Sequence, residues 1–397
     1  MGATRTPEQE KLTRQLREYF AGLMTPERRE ALRPTSDTDG DYGDGEAYRD
    51  TVRQMGADGW LVLNWPVEHG GQGKGAVEAL IFSDEAARAG APVPFLTLNT
   101  IGPTIMRFGN AQQRELLPRI AEGRVHFAIG YSEPGAGTDL ASLRTRADRD
   151  GDEYVVNGQK MWTSLIQYAD YVWLACRTDQ AAAKHRGLSM LVIPTTAQGF
   201  SWTPVRTLPG LTTSATYYQD VRVPLTALVG SENQGWALIT NQLNHERVAL
   251  TPSAPLEQLL DDVRAWAVGT RTSSGARVAD AEWVQVHLAR ARAEVEVLRL
   301  LNEDVAQRAD RGEALGPAEA SMNKVYGTEL APRVCRLLME VLGAAGPVRR
   351  GSPGEVLQGR VERTHRTALV LTFGGGTNEV QRDIVAATAL RLPVGAR

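Results

Sequence analysis

The spacing of apolar residues changes twice along the chain, and this change limits the fold more than any other feature. Up to about residue 122, apolar residues recur at helical spacing, as at Leu12, Leu16 and Phe20, which gives a helix one buried face. Between about 123 and 232 the period becomes two, in short β-branched and aromatic runs separated by turn residues. After 232 the helical period returns in long amphipathic segments.

These patterns predict an α+β multidomain protein with three domains, at 1–122, 123–232 and 233–397. The first domain is predicted to be α-helical. The second, built from short strands, is predicted to be a compact β-barrel or a two-sheet sandwich. The third has several long helices and short loops, which indicates a four-helix bundle.

Two short motifs predict local structure. Thr6-Pro7-Glu8-Gln9 is typical of a helix start, with Thr6 as the N-cap and the Gln9 side chain reaching back to it. Asn157-Gly158 predicts the turn of a β-hairpin, because both residues tolerate positive φ.

Composition and charge exclude several classes of partner. The 397 residues include 44 basic and 47 acidic side chains, for a net charge of −3, which predicts no nucleic-acid partner. No apolar run approaches the ~20 residues of a membrane span. Cys176 and Cys335 are far apart and indicate no disulfide framework. A cytoplasmic protein is therefore expected.

The most informative segment is "GYSEPGAGTDLASL", at 130–143, which leads into the β domain. Its proline and glycines, Gly137 among them, let backbone N–H groups approach a ligand closely. Ser132 and Thr138 add hydroxyl groups. Such a loop suits a planar, hydrogen-bonding cofactor, although a plain helix-to-strand turn would have similar residues.

A second segment, "NGQKMWTS", lies at 157–164. Trp162 could lie against a ring system, and the Ser164 hydroxyl could donate a hydrogen bond to it. Taken alone, Trp162 would more commonly be a core residue.

The stretch "LTFGGGTNEVQRDI", at 371–384, has three glycines before Thr377. It does not match a phosphate cradle, because no Gly-Lys-Ser/Thr follows. A bare turn and a catalytic position without its side chain both remain open. A metal site is not expected, because the six histidines never come at metal-ligand spacing and no Cys-x-x-Cys occurs.

In their order and spacing, "YSEPGAGTD", "VNGQKMWTS" and "GGGTNEVQRDIVA" resemble the acyl-CoA dehydrogenase family over nearly the whole chain. The resemblance implies FAD as the cofactor, lying between the β domain and the C-terminal helices. It implies that Tyr131 and Ser132 contact the pyrimidine end of the flavin ring, that Trp162 covers one face, and that Ser164, where the family usually has Thr, binds near N5. The full implied cofactor set is Tyr131, Ser132, Gly137, Thr138, Trp162, Ser164, Thr377 and Glu379.

The resemblance also implies a position for the catalytic base. Many family members have a Glu immediately before the Gly-Thr pair, and here that position is Gly375, whose N–H could still bind the thioester oxygen. A minority carry the base on the first long helix after the β domain. That position is Glu246 in "QLNHERVAL", with Asn244 and Arg247 implied as substrate contacts, so Glu246 is the predicted base.

The implied reaction is FAD-dependent α,β-dehydrogenation of an acyl-CoA, with an electron-transfer flavoprotein as the acceptor. The segments "VHFAIGYSEPGAGTDLASLRT" and "ATYYQDVRVP" resemble actinobacterial steroid side-chain dehydrogenases, which implies a bulky acyl group. A flavin oxygenase on the same fold and a non-catalytic partner subunit are the alternatives. The glutamate at position 246 argues against both alternatives, because oxygenases on this fold tend to lose the base.

The resemblance predicts the assembly as well. Family members usually place an Arg and a Phe against the neighbouring subunit's flavin, but the corresponding stretch, 267–280, has Arg271 and Arg277 and no Phe. The predicted assembly is therefore an α2β2 heterotetramer in which this chain supplies the base and a second dehydrogenase-like subunit supplies the clamp. A homo-oligomer is the alternative.

Overall fold

The computed structural model describes residues 5–33, 42–208, 210, 212–249, 251–313 and 315–393, with the backbone alone over 243–249. Helices precede and follow a block of strands, which confirms the predicted order of helical, β and helical segments. The exact limits of the three domains stay a prediction. No described helix combines the length and the apolar character needed to cross a membrane.

The first block is helical. Its helices are α1 Pro7–Leu23, α2 Pro26–Ala31, α3 Glu46–Ala57, α4 Ala76–Ala89, α5 Gly102–Phe108, α6 Ala111–Arg114 and α7 Leu116–Ala121. The predicted start of α1 is confirmed, because the Gln9 N–H donates to Thr6 Oγ1 at 3.2 Å and the Thr6 N–H donates to Gln9 Oε1 at 3.1 Å.

The second block contains the strands. They are β1 Phe127–Gly130, β2 Arg146–Asp150, β3 Glu153–Lys160, β4 Tyr171–Arg177, β5 Leu188–Pro194, β6 Phe200–Arg206, β7 Thr212–Pro224 and β8 Leu228–Val229. They are hydrogen-bonded in the order β6-β7-β3-β2-β4-β5-β8, and β1 pairs with β4 in parallel. Side chains from both halves of this path, such as Val156 and Tyr218 in one and Leu174 and Leu191 in the other, share one core. The sheet therefore curls around its own interior.

The hairpin predicted at Asn157-Gly158 is wrong. Both residues lie inside β3, where the pairing with β7 shifts register between Val156 and Gly158. Gly158 has φ 155°, and a Cβ there would lie 2.5 Å from Thr145 Oγ1. The glycine permits a bulge and a close approach of a neighbouring chain segment. The turn itself falls earlier, between β2 and β3.

The third block is helical again. Its helices are α8 Gly235–Ala249, α9 Ala254–Gly269, α10 Glu282–Asp310, α11 Pro317–Leu342, α12 Arg360–Leu371 and α13 Asn378–Thr388. Helices α9 to α12 share one apolar core. In α11, for example, Leu330, Val334, Leu338 and Val341 are all buried, at the three- and four-residue spacing of one helix face.

The chain divides into two compact units. The first unit comprises residues 1–21, 76–90 and 247–397, and the second comprises 22–75 and 91–246. Helices α1 and α4 thus pack with the C-terminal helices: the rings of Phe20 and Phe82 lie 5.7 Å apart, and Arg88 on α4 pairs with Glu257 on α9 at 2.8 Å.

Candidate active site

A buried ion pair holds the loop that follows β1. The Lys160 ammonium, which is 0% exposed, donates to Glu133 Oε1 at 2.8 Å and to the Tyr131 carbonyl at 3.0 Å. The Glu133 carboxylate also accepts the backbone N–H groups of Arg144 and Thr145, at 2.7 and 2.8 Å. One lysine and one carboxylate therefore connect the loop to β3 and to the backbone that leads into β2.

Burial acts against both charges of this pair. It lowers the pKa of Lys160, and the neighbouring Glu133 opposes that shift. Burial would raise the pKa of Glu133, but the charge of Lys160 and hydrogen bonds from Lys160 and Thr145 outweigh it, so the pKa lies below its ordinary value. Each partner therefore favours the charged form of the other, and removing either one would leave an uncompensated charge in the interior.

The same loop meets the second sequence motif. The Met161 N–H donates to the Ser132 carbonyl at 2.8 Å, which places the residues after β3 beside the loop. Trp162 is 57% exposed with φ 66°, so its interpretation as a core residue is wrong. A left-handed backbone at a non-glycine residue costs about 1–3 kcal/mol and is common at ligand sites. Ser164 is exposed, and in the described part of the chain its hydroxyl makes only a long contact of 3.4 Å with Thr213 Oγ1.

The tip of the loop is an open turn. The N–H and carbonyl groups of Glu133 and Ala136 bond each other at 2.9 and 3.1 Å, and the exposed tip includes Gly135, Gly137 and Thr138. A Cβ at either glycine would meet nothing within 4 Å. The space above these glycines is therefore available to a ligand, and the protein itself does not require glycine there.

Helix α8 is anchored to this loop through Gln242. The Tyr131 hydroxyl donates to Gln242 Oε1, as does Trp173 Nε1 at 3.1 Å, while Gln242 Nε2 donates to Thr104 Oγ1 at 3.3 Å. Position 246 lies four residues further along the same helix. Since four residues make about one turn, it falls on the helix face that carries Gln242.

Three predicted site residues, Asn244, Glu246 and Arg247, have side chains outside the described part of the chain. Their roles as substrate contacts and catalytic base stay predictions. Their backbone belongs to α8.

The glycine run forms a tight loop between α12 and α13. Gly375 and Gly376 have φ 69° and φ 93°, a region that side chains rarely occupy. A Cβ on Gly376 would also lie 2.5 Å from Gln381 Nε2. Here glycine is required by the backbone, which explains why the run occurs at this point in the sequence.

The residues after this loop start α13. Thr377 is its N-cap and accepts the Val380 N–H at 3.3 Å. Glu379 lies exposed in the first turn, where hydrogen bonds from its own N–H and from Thr377 lower its pKa. Both residues can therefore present polar groups outward, and their predicted roles toward the cofactor stay predictions.

These features fit a flavin. The exposed Trp162 offers a flat face for a ring, Ser164 offers a hydroxyl that is weakly engaged, and the turn containing Gly137 offers backbone that a ligand can approach. Loop geometry of this kind suits a large planar cofactor better than it suits a metal or a small anion.

Family models for the acyl-CoA dehydrogenase N-terminal, middle and C-terminal domains match residues 6–124, 128–221 and 233–390. The chain belongs to the acyl-CoA dehydrogenase family. It is a flavin-dependent oxidoreductase, and its cofactor is FAD, as in other members of the family. The predicted three-domain fold is confirmed by the same matches.

The most similar relatives include acyl-CoA dehydrogenase FadE26 of Mycobacterium tuberculosis, 63% identical over 98% of both chains. Among solved structures, a chain of the ChsE4-ChsE5 complex from Mycobacterium tuberculosis is 61% identical with a TM-score of 0.93, and the match covers 100% of both chains. A chain of the Tcur3481-Tcur3483 steroid ACAD is 47% identical with a TM-score of 0.90, again over 100% of both.

The sequence did not identify the residues that support the site. Lys160, Glu133, Gln242 and Lys324 are all buried and hydrogen-bonded. One feature of the sequence could have indicated Lys160. It is the last residue of β3, whose other inward-facing residues are apolar, and a lysine at such a position needs a buried partner.

Proposed function

We propose that this chain is the base-bearing subunit of a heteromeric dehydrogenase that desaturates the side-chain acyl-CoA thioester of a steroid, with Glu246 as the base. The proposal has three parts: the position of the base, the class of acyl group, and the assembly.

The anchoring of α8 carries the assignment of the base. Gln242 binds the hydroxyl of Tyr131, a residue predicted to contact the flavin, and position 246 follows one turn later on the same face. The backbone position of residue 246 is thus one helical turn from a side chain that binds a predicted flavin contact, which supports a base at this position. Position 375, the other base position in the family, is a glycine in a left-handed conformation.

In the proposed reaction, the Glu246 carboxylate takes the proton from the α-carbon of the thioester. FAD, when bound, would supply the acceptor for the β-hydrogen and its electron pair, so that the loss of two C–H bonds is balanced by a new C=C bond and a reduced flavin. Backbone N–H groups such as that of Gly375 stabilise negative charge on the thioester oxygen. An electron-transfer flavoprotein then reoxidises the enzyme, in the cytoplasm.

The relatives support a bulky acyl group. The solved structure at 47% identity is described as a steroid ACAD, and the chain matches it from end to end. We extend that substrate class to this protein and take CoA, rather than an acyl carrier protein, as the carrier.

Anaerobic stopped-flow mixing of the FAD-loaded enzyme with acyl-CoA thioesters tests this function. We expect fast bleaching of the flavin by a steroid side-chain acyl-CoA and slow bleaching by palmitoyl-CoA. Equal rates would contradict the substrate class. An oxygen-dependent burst of hydroxylated product would favour the oxygenase, and absence of bleaching with every thioester would favour a non-catalytic subunit.

The assembly is supported by the 267–280 segment. Within it the backbones of Arg271 and Arg277 form an isolated antiparallel bridge, and the chain has no Phe between Phe200 and Phe373. Arg277 is engaged by Asp280 at 2.7 Å. The solved relative at 61% identity is described as the ChsE4-ChsE5 complex, and the one at 47% identity carries a double name, Tcur3481-Tcur3483. Both descriptions agree with a second subunit that completes the flavin site.

Sedimentation of the chain expressed alone, and again after coexpression with a neighbouring dehydrogenase gene, tests the assembly. We expect an α2β2 species with high FAD content only after coexpression. A stable, fully FAD-loaded and active homotetramer of the chain alone would contradict the heteromer and leave the dehydrogenase chemistry unaffected.

A further inference from the structure

A second fully buried lysine lies under the glycine loop, in the compact unit that contains the C-terminal helices. Lys324 on α11 is 0% exposed. Its ammonium donates to the Thr372 carbonyl at 3.2 Å, to the Gly376 carbonyl at 2.8 Å and to Asn378 Oδ1 at 2.7 Å. One cation thus joins the end of α12, the loop and the start of α13. A positive charge at the C-terminal end of α12 is also favoured by the helix dipole.

Buried side chains tie the loop down at two further points. Gln381, which is fully buried, donates from Nε2 to the Gly375 carbonyl at 3.4 Å. Asn378 Nδ2 donates to Thr328 Oγ1 and to Glu329 Oε1, both at 3.1 Å. Two consecutive carbonyls, those of Gly375 and Gly376, therefore face buried donors.

The planarity of the peptide bond converts these contacts into an orientation for the N–H groups. In a trans peptide the C=O of one residue and the N–H of the next point in opposite directions. Because the Gly375 carbonyl faces Gln381, the Gly376 N–H points away from Gln381. Because the Gly376 carbonyl faces Lys324, the Thr377 N–H points away from Lys324.

The N–H groups of the loop have no acceptor in the described part of the chain. None of the described residues accepts a hydrogen bond from the backbone N–H of Gly375, Gly376 or Thr377. Successive free N–H groups beside a residue of positive φ form a concave site for an electron-rich oxygen. The N-terminus of α13, a helix of 11 residues, adds to the attraction.

We propose that Lys324 and Gln381 are positioning residues: by holding the carbonyls of the glycine loop, they orient its N–H groups toward an oxygen acceptor of the bound reactants. The inference rests on the proposed function, since it assigns this loop to the substrate and the flavin. The acceptor is an oxygen with partial negative charge, from either the substrate thioester or FAD. Neither side chain touches the reactants itself.

The experiment compares wild type with Lys324→Met, both loaded with FAD and expressed with any partner subunit. Methionine keeps most of the apolar stem and removes the donor. Infrared difference spectra of a bound acyl-CoA with a ¹³C-labelled thioester carbonyl report the hydrogen bonds to that oxygen. The dissociation constant of FAD and the shape of the flavin spectrum report the contacts to the cofactor.

If the thioester is the acceptor, the carbonyl band of Lys324→Met moves back toward its frequency in solution, and kcat falls by about tenfold to a hundredfold with little change in KM. If FAD is the acceptor, the dissociation constant of FAD rises in Lys324→Met and the frequency of the thioester carbonyl band does not change. Either result supports the positioning role. An unchanged band together with unchanged FAD affinity overturns it.

Two further variants separate positioning from general loss of stability. Glu303→Gln breaks the ion pair with Arg299, which is 2.6 Å long and lies in the same compact unit. It should lower the Tm without moving the carbonyl band or the flavin spectrum. If Lys324→Met does not fold, Gln381→Met carries the same test, because it frees the Gly375 carbonyl alone.

A wild-type enzyme that binds the thioester with no shift of its carbonyl band and reacts normally would overturn the thioester form of the inference only. If none of the acyl-CoA thioesters bleaches the flavin of the wild-type enzyme, the proposed function is overturned, and the inference is overturned with it. The two failures are therefore distinct.

Discussion

Two loops carry glycines and are predicted to contact the reactants, but they use glycine for different reasons. In the β-domain loop, the space around Gly135 and Gly137 is open and neither residue has positive φ. In the C-terminal loop, Gly375 and Gly376 both have positive φ. The first loop leaves room for something outside the protein, whereas the second needs glycine for its own backbone.

The two loops also differ in how a buried lysine supports them. Lys160 faces a carboxylate, Glu133, together with one carbonyl. The acceptors described for Lys324 are two carbonyls and an amide oxygen. The first arrangement fixes a loop by charge pairing and the second fixes it by orienting peptide groups, so the two should respond differently to substitution and to pH.

The largest effect is expected for Lys160→Met, because the buried Glu133 would lose its counter-charge. We expect a loss of about 3–5 kcal/mol in the free energy of unfolding, measured by urea denaturation. Arg222→Gln is the matched control: it removes exposed ion pairs with Asp150 and Glu153 in the same domain and should cost less than about 1 kcal/mol. Equal losses for the two variants would show that the buried ion pair stabilises the protein no more than exposed pairs do.

Gly376→Ala should have the next largest effect. Its Cβ would require an unfavourable φ and would displace the Gln381 amide, at a cost of about 1–3 kcal/mol. Thermal unfolding measures the loss. A variant as stable as wild type would contradict the idea that the backbone requires glycine in the C-terminal loop.

The contributions of the two loops to stability should respond differently to acid. The pKa of Glu133 in the folded protein lies below its ordinary value of 4.5, so the unfolded chain binds the proton first as the pH falls. The stabilisation from Glu133 is therefore present above about pH 4.5 and is lost below it. Denaturant melts at a series of pH values should show this loss in wild type. The loss should be absent in Glu133→Gln, while the carbonyl contacts of Lys324 do not titrate in that range.

The smallest effect on stability is expected for Gly137→Ala. In the FAD-free protein the change should be within about 1 kcal/mol and can be stabilising, because no strain opposes it. FAD affinity, measured by fluorescence titration, should nevertheless fall, since the added methyl group occupies the space left for the ligand. If Gly137→Ala lost as much stability as Gly376→Ala and still bound FAD normally, the comparison would be wrong, because the backbone rather than the ligand would then require Gly137.

The sequence predicted whatever depends on local pattern. The capping box at Thr6 and Gln9, the order of the three blocks and the helical period of α11 are local, and the structure agrees with each. The hairpin at Asn157-Gly158 failed, because pairing with β7 continues through the glycine as a bulge. A turn propensity was outweighed by tertiary pairing.

The site was predicted in outline and its support was not. Resemblance to the family marked the exposed Trp162 and the loop of Ser132, whereas propensity alone favoured a buried tryptophan. The lysines beneath the loops could not be assigned, because Lys160 and Glu133 are 27 residues apart, and Lys324 is 52 residues from Gly376. Such contacts appear only once the chain has folded.

The central claim is that the base lies on α8 at Glu246 and not in the glycine loop. The most direct test is anaerobic stopped-flow reduction of the flavin in Glu246→Gln. The amide keeps the shape of the side chain but cannot accept the α-proton, so we expect FAD to remain bound while bleaching by the acyl-CoA slows by at least about 10²–10⁴-fold. Bleaching at the wild-type rate in this variant would contradict the claim.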